Sequence, residues 1–432
     1  MIMTPGLGYY YSGMARSKNA LTLIMLCFMS FAVVTIQWFI FGFSLTFSDS
    51  GGKFWGDCTY CLFRNVGQQV LANVITVPTI TFQFYQLMFA TITPALIFGS
   101  TAERVRLLPA GIFVFLWSTF VYSPIAYWAW SANGWLNVLG YLDFAGGTPV
   151  HTSSGFAGLA FAIVIGRRKH TDDFKASSIA NVFLGTALLW FGWFGFNGGS
   201  EIASNARAAN AMVVTNIAAS VGGLVWMLLD YLSHKKVSGL GFCSGAVAGL
   251  VGITPASGFV SPASAIAIGG IVSVVCNTVV KLKGHFFYDD TLDSFNVHGI
   301  GGFTGDILTG IFAQKWVKAM NIYPNAGSVD SACIDSLPGL GWLDGNWVQV
   351  PKQLAGAGAG AAWAFVLTYI IVFVMQKIPG LQLRVSHETE VLGSDQAEMG
   401  EVSYDYVESL SQVSREDIKM AAPAPAPAAV EK

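Results

Sequence analysis

Asp289 to Gly302, DDTLDSFNVHGIGG, opens on three carboxylates (Asp289, Asp290, Asp293) and runs into an apolar segment with one imidazole, His298, eight residues past Asp290. An ionisable side chain at membrane depth costs roughly 2.5 to 3.5 kcal/mol on the most lenient scale, so such groups face a bundle interior or a solute path. His298 is a functional candidate by position alone. Asp143 to Gly155, DFAGGTPVHTSSG, repeats the spacing: Asp143 precedes His151 by eight, and Gly155 follows it by four, as Gly302 follows His298. A lone intramembrane histidine is readily explained as a hydrogen bond between helices; two at matched spacing are not. The remaining four, His170, His234, His285 and His387, lie in polar stretches near Lys or Arg.

The composition around this doubled motif is 53% hydrophobic, 14% aromatic and only 11% charged, against about 25% charged in soluble domains. That is an all-α integral membrane protein. A net charge of -2, with basic residues scattered in short loop clusters, argues against a nucleic-acid partner. Of the six cysteines, Cys27, Cys243 and Cys276 sit in apolar segments, where a thiol behaves as a small hydrophobe. Cys58, Cys61 and Cys333 fall in connecting loops; a disulfide among them is allowed and its connectivity is left open. No zinc-type Cys and His spacing occurs, and the sequence calls for no cofactor.

Apolar runs of membrane-spanning length are found at Leu21 to Phe47, Ile75 to Thr101, Leu107 to Trp130, Thr148 to Ile165, Ser177 to Gly199, Ala211 to Leu232, Leu240 to Ile253, Ser264 to Val280, Phe295 to Phe312 and Ala355 to Met375. With the short first run, Met1 to Ala15, the expectation is eleven transmembrane helices. The loops after the odd-numbered runs hold fourteen Lys and Arg; the others hold six, Lys53, Arg64, Arg207, Lys315, Lys318 and Lys352. The positive-inside rule then puts the N-terminus outside and the C-terminus in the cytosol. The two motif copies enter the membrane from opposite sides, giving an inverted five-plus-five repeat with a last helix added. At 1.5 Å per residue each histidine lies about 12 Å from its own face of a core about 30 Å thick, so the two imidazoles are expected close together near the midplane.

Residues 1–378 form the expected transmembrane domain and 379–432 a cytosolic, acidic regulatory tail. Its Ala421 to Lys432 end is an Ala-Pro alternation that cannot bury a core and is expected to be disordered or polyproline II. Ser414, ahead of Arg415, Glu416 and Asp417, reads first as a helix N-cap and second as a phosphorylation site for a kinase.

Long motifs in order give the chain a resemblance to the ammonium transporter family (Amt, Mep and Rh proteins), and within it to fungal methylammonium permeases with twin pore histidines. They are PGLGYYYSGMAR (Pro5 to Arg16), FYQLMFATITPALIFGSTAER (Phe84 to Arg104), LDFAGGTPVHTSSG (Leu142 to Gly155), WFGWFGFNGGS (Trp190 to Ser200), CSGAVAGLVGITPASGFV (Cys243 to Val260), DDTLDSFNVHGIGG and LGSDQAEMGE (Leu392 to Glu401). The resemblance implies an outer vestibule where Trp130 and Ser200 receive ammonium or methylammonium, a gate of stacked phenyl rings at Phe89 and Phe196, and an apolar pore in which His151 and His298 relay a proton. It assigns Asp143 to holding the vestibule, and Asp290 is the matching carboxylate in the second copy. It also implies a homotrimer in the plasma membrane and no enzymatic activity. Read singly, Trp130 is an interfacial aromatic, Phe89 and Phe196 are packing, and Ser200 is a helix contact; the shared motif context favours the site.

The likeness departs from the family at two points. The first run is short where relatives carry an extension and a longer span, which an incomplete N-terminus would explain. Asp306, eight residues beyond His298, stands where a small neutral side chain is expected. A second function class, an ammonium sensor signalling through the tail with little flux, fits the tail motif equally. A membrane metalloenzyme does not fit, because two imidazoles without a third ligand make a poor zinc site.

Overall fold

The computed structural model describes residues 1–71, 74–169, 175–320, 334 and 336–404. Among these the regular elements are helices, with two isolated β-bridges, Leu71 to Val74 and Val105 to Arg384. In chain order the principal helices are α1 (Met3–Met14), α2 (Ser17–Phe47), α3 (Thr79–Ile97), α4 (Leu107–Leu139), α5 (Gly147–Ile165), α6 (Ile179–Glu201), α7 (Ala206–His234), α8 (Gly239–Ile253) and α9 (Pro262–His285). They are followed by α10, a wide turn over Phe295–Ile300 continuing into Gly301–Phe312, and by α11 (Gln349–Lys377). Eight of them, α2 to α7, α9 and α11, are long and apolar enough to cross a membrane. Their outward faces carry large apolar side chains, such as Leu224 and Leu228 on α7 and Ile370 and Phe373 on α11, which water would penalise and lipid does not.

Local chemistry sets the helix ends. Pro78 takes extended backbone, so α3 starts at Thr79 instead of at the Ile75 where the apolar run begins. Ser178, Asn205, Ser238 and Ser261 each accept a bond from the backbone N–H three residues on, satisfying orphan donors at the starts of α6, α7, α8 and α9.

The helices α5 and α10, which carry the doubled motif, lie side by side and antiparallel: Gly147 is against Asp306, His151 against Gly302, and Gly155 against Gly299. A Cβ at Gly155 would fall inside the van der Waals envelope of the Gly299 backbone N and Cα, so only glycine allows this approach.

One end of the bundle gathers charge. The Arg16 guanidinium donates to Glu103 Oε2 at 3.0 and 2.7 Å and to its Oε1 at 3.2 Å, and Arg168 bridges Glu103 (3.2 Å) and Asp289 (2.8 Å). Arg104 donates to Thr291 at 2.6 Å and lies 3.5 Å from Asp289. The segment after α11 folds back on this end. Arg106 N–H donates to Leu383 O at 2.8 Å. Asp395 accepts from the N–H groups of Leu21 (2.9 Å) and Thr22 (2.7 Å), and Glu398 from that of Leu107 (2.9 Å), so carboxylates from beyond α11 cap the starts of α2 and α4. Contacts at the opposite end join the alternate loops: Trp135 to Lys53, Thr76 to Ile202, and Gln349 to Gly140. Cys58 and Cys61 form a disulfide there. Cys333, Ser414 and the Ala421 to Lys432 stretch lie outside the described residues.

Gly155→Ala should force α5 and α10 apart and lower the melting temperature of the detergent-solubilised protein by several degrees, with a destabilisation of about 2 kcal/mol or more; an unchanged melting curve would refute the close approach. A second expectation concerns pH. Burial raises the Asp289 carboxyl, but the hydrogen bond from Arg168 and the charges of Arg104 and Arg168 outweigh it and hold the group at about 2. A depressed carboxyl stabilises the fold above its unfolded value of about 3.9 and ceases to as pH falls toward the folded value. Asp289→Asn should therefore lower the melting temperature by a constant amount from pH 5 to 7, with the difference shrinking below pH 4.

Candidate functional site

Asp143 fixes the start of α5. Its carboxylate accepts from the N–H groups of Gly146 (2.7 Å), Gly147 (2.8 Å) and Thr148 (2.8 Å), so a full charge is held by the positive end of a helix. The chain then makes a wide i→i+5 turn over Gly147–Thr152, which carries His151. The second copy does the same over Phe295–Ile300, which carries His298. Asp290 is a looser counterpart of Asp143, with one bond from the Asn296 N–H at 3.3 Å. Wide turns recur over Trp38–Gly42, Ser118–Tyr122 and Asp395–Met399, so it is the placement of these two at the matched histidines that is informative, and nothing in the residue pattern announces them.

The two imidazoles meet at the centre. Nδ1 of His298 is 3.2 Å from Nδ1 of His151, with ring centroids 5.3 Å apart and planes inclined by 19°. Two neutral rings in this contact share one proton, one Nδ1–H donating and the other Nδ1 accepting. On its other side His151 stacks on Trp193 (5.4 Å, 17°) and then Phe196 (6.0 Å, 27°). The Trp193 indole N–H is engaged by Thr254 at 2.9 Å, so it offers the imidazole only its face.

Two cavities approach this pair. The larger, about 630 Å³, is lined by Phe89, Trp130, Asp143 and Ser200, among others. The smaller, about 10 Å³, is lined by Leu7, Ile92, His151, Trp193, Phe196 and His298, which is room for about one water-sized molecule. Between them Phe89 and Phe196 stack at 4.3 Å and 42°. Trp130 meets Phe89 edge-on at 5.8 Å, and its indole N–H is tied to Asp143 O at 3.1 Å. Ser200 donates to Phe196 O at 2.8 Å. The structure thus places Trp130, Ser200 and Phe89 on the wall of the large cavity, and Phe196, stacked on Phe89, on the wall of the small one with the two histidines.

Sequence reading missed two members and left the role of a third open. Trp193 shares a helical face with Phe196, three residues on, a signal present in WFGWFGF but lost among so many aromatics. Tyr85 lies four residues before Phe89; its ring contacts Phe89 at 5.1 Å, and its hydroxyl bonds Phe196 O at 2.9 Å and lies 3.3 Å from Ser200 Oγ. Asp306, the unexpected carboxylate of the second motif copy, is the third. It is fully buried; its Oδ2 accepts from the hydroxyls of Thr148 (2.7 Å) and Thr152 (3.3 Å), and Thr148 in turn accepts from Tyr141 at 2.6 Å. Asp306 therefore ties α10 to the wide turn of α5. It does not line either cavity. Among the described residues no group of three His, Cys, Asp or Glu is placed to hold a metal ion.

The Ammonium Transporter Family model matches residues 1–404. Over 413 residues the chain is 46% identical to "Ammonium transporter 1" of Schizosaccharomyces pombe, covering 95% of this chain and 81% of that protein. It is also 46% identical to "Ammonium transporter MEP2" of Saccharomyces cerevisiae, covering 94% of this chain and 81% of that one. The crystal structure of Saccharomyces cerevisiae Mep2 superposes with a TM-score of 0.80 at 44% identity, covering 90% of this chain and 85% of the other.

Proposed function

The chain belongs to the Ammonium Transporter Family, and from that membership we propose that it conducts ammonium through the path that runs from the large cavity, past the phenyl pair, to the two histidines. The observation that carries this reading is the abrupt change in lining at Phe89 and Phe196: aromatic faces, hydroxyls and paired or hydrogen-bonded charges on one side, an apolar, single-molecule space on the other. An ammonium ion in the large cavity meets the Trp130 face, worth about 0.5 to 2 kcal/mol, and the Ser200 oxygen. Neither carries a full charge, so binding is weak and reversible. Beyond the rings a bare cation is penalised heavily. The ion gives up one proton, ammonia crosses the apolar space, and the proton moves along the Nδ1 to Nδ1 contact of His151 and His298 to rejoin ammonia on the far side. Potassium has no proton to give up, and this difference supplies the selectivity.

On the same reading α1 to α11 form eleven spans, with α1 to α5 and α6 to α10 as inverted halves. The N-terminus is outside, and the protein is a multi-pass plasma-membrane homotrimer. The separation of the loops into two ends, and the antiparallel α5 and α10, support that arrangement. The segment beyond α11 is the regulatory tail in this scheme, since its Asp395 and Glu398 cap α2 and α4. The same contacts favour a sensing role exercised through the tail, as the alternative to bulk flux.

Expression of the chain in cells lacking ammonium uptake should restore growth on scarce ammonium, with methylammonium as a competitor; protein at the cell surface without labelled methylammonium uptake would sink the transport reading. For the histidines, His151→Leu and His298→Leu should each cut proton-coupled ammonium current in liposomes by about tenfold or more while leaving a measurable residue. The double variant should lose no more than either single, because residues acting as one unit are non-additive. Additive losses would show that the two rings act independently.

A further inference from the structure

The large cavity contains an ion pair that the transport path does not use. Glu201 directly follows Ser200; its Oε1 accepts from Asn205 Nδ2 at 3.0 Å and its Oε2 from Arg207 Nη1 at 3.1 Å. Arg207 donates Nε–H to Gly258 O at 2.7 Å, and its guanidinium carbon lies 5.0 Å from the ring centroids of both Phe144 and Phe259. Both side chains line the same cavity as Trp130, Phe89 and Ser200, yet they are only 4% and 9% exposed. Their surroundings hold them still. Asn205 also caps α7 through the Ala208 N–H (3.0 Å), and Thr76 bonds Ile202 O at 2.6 Å. The third charge on the cavity wall, Asp143, is committed to three backbone N–H groups.

We propose that Glu201 and Arg207 set how tightly, and how selectively, this cavity holds a monovalent cation. The inference rests on the ammonium-transport reading. A carboxylate beside the Ser200 hydroxyl, left uncompensated, would attract any small cation, potassium as readily as ammonium. Arg207, clamped between two phenyl rings so that it cannot swing away, cancels most of that attraction. What remains is a fixed dipole with a weak, short-ranged field, and discrimination passes to the N–H donors and the aromatic face, which only ammonium and its methyl derivative exploit. Removing either partner should therefore shift affinity in opposite directions, which a purely structural salt bridge would not do.

The test uses the full chain reconstituted in liposomes, with labelled methylammonium influx read for half-saturation and maximal rate, and with potassium as competitor. Glu201→Gln leaves the Arg207 charge unopposed, and the half-saturation concentration should rise about three- to tenfold, a screened single-charge effect across part of a cavity. Arg207→Met should lower it by a similar factor and make potassium an effective inhibitor. The combined neutral pair should return toward the starting value. Arg207→Lys, which keeps the charge and loses the planar stacking, should fall nearer wild type than Arg207→Met does. Shifts of the same sign for Glu201→Gln and Arg207→Met, no shift in either, or Arg207→Lys as altered as Arg207→Met would each overturn the proposal while leaving transport intact. A wild-type protein that carries no methylammonium overturns both readings together. Should a neutral variant fail to insert, Glu201→Asp and Arg207→Lys decide alone: half-saturation close to wild type in both supports the charge assignment, and a shift in both overturns it.

Discussion

The close approach of α5 and α10 is the constraint on which the centre of the molecule depends. Helices in lipid gain nothing from hiding apolar surface from water, so they associate through dispersion contacts and buried polar bonds, and both grow as backbones come closer. Gly155 against Gly299 allows that approach. The consequence is that His151 and His298, on different helices and 147 residues apart in sequence, meet ring nitrogen to ring nitrogen at 3.2 Å. Carboxylates anchor the pair from outside the contact: Asp143 caps one helix, and Asp306 on the other reaches back to Thr148 and Thr152. Charge is thus kept at the margins, and the middle contains only groups that are neutral or share a proton.

The aromatic residues around this pair divide two tasks. Phe89 and Phe196 separate a roomy polar cavity from a small apolar one, while Trp193 presents its face to His151 and directs its N–H to Thr254. An indole whose N–H is already engaged cannot donate it to an imidazole nitrogen. The Nδ1 to Nδ1 contact is therefore left as the hydrogen bond joining His151 to its partner, and the stacking on either side limits how far the rings can tilt.

Much of this was legible in the sequence, and for stated reasons. A spacing of eight residues from carboxylate to histidine, present twice, located the central pair because polar residues are rare in apolar runs. The alternation of apolar runs with polar loops located most of the helices, whereas the caps at Ser178, Asn205, Ser238 and Ser261 were not read from the pattern. What was not legible depends on geometry between distant residues. Asp306 looked like an anomaly along its own helix; only the antiparallel neighbour shows that its partners are threonines on α5. Tyr85, Trp193 and the Glu201 to Arg207 pair were hidden in runs where aromatic or loop residues have several equally good uses. The wide turns were invisible because hydrophobic patterning over six residues cannot distinguish five residues per closure from four.

Those wide turns make chain length itself a constraint. An α-helix rotates by about 100° per residue, and each wide turn accommodates one residue more than ordinary helical closure. Deleting a residue within Gly147–Thr152 would restore a regular helix, but it would turn everything beyond it by about a quarter of a revolution relative to Asp143. The Asp143 cap and the Gly155 contact lie on either side of that turn, so one or the other would be lost. Substitutions in this stretch change chemistry locally, whereas a change in residue count rotates the entire wall of the path. Both copies hold this surplus, one at His151 and the other at His298, so the surplus belongs to the repeating unit.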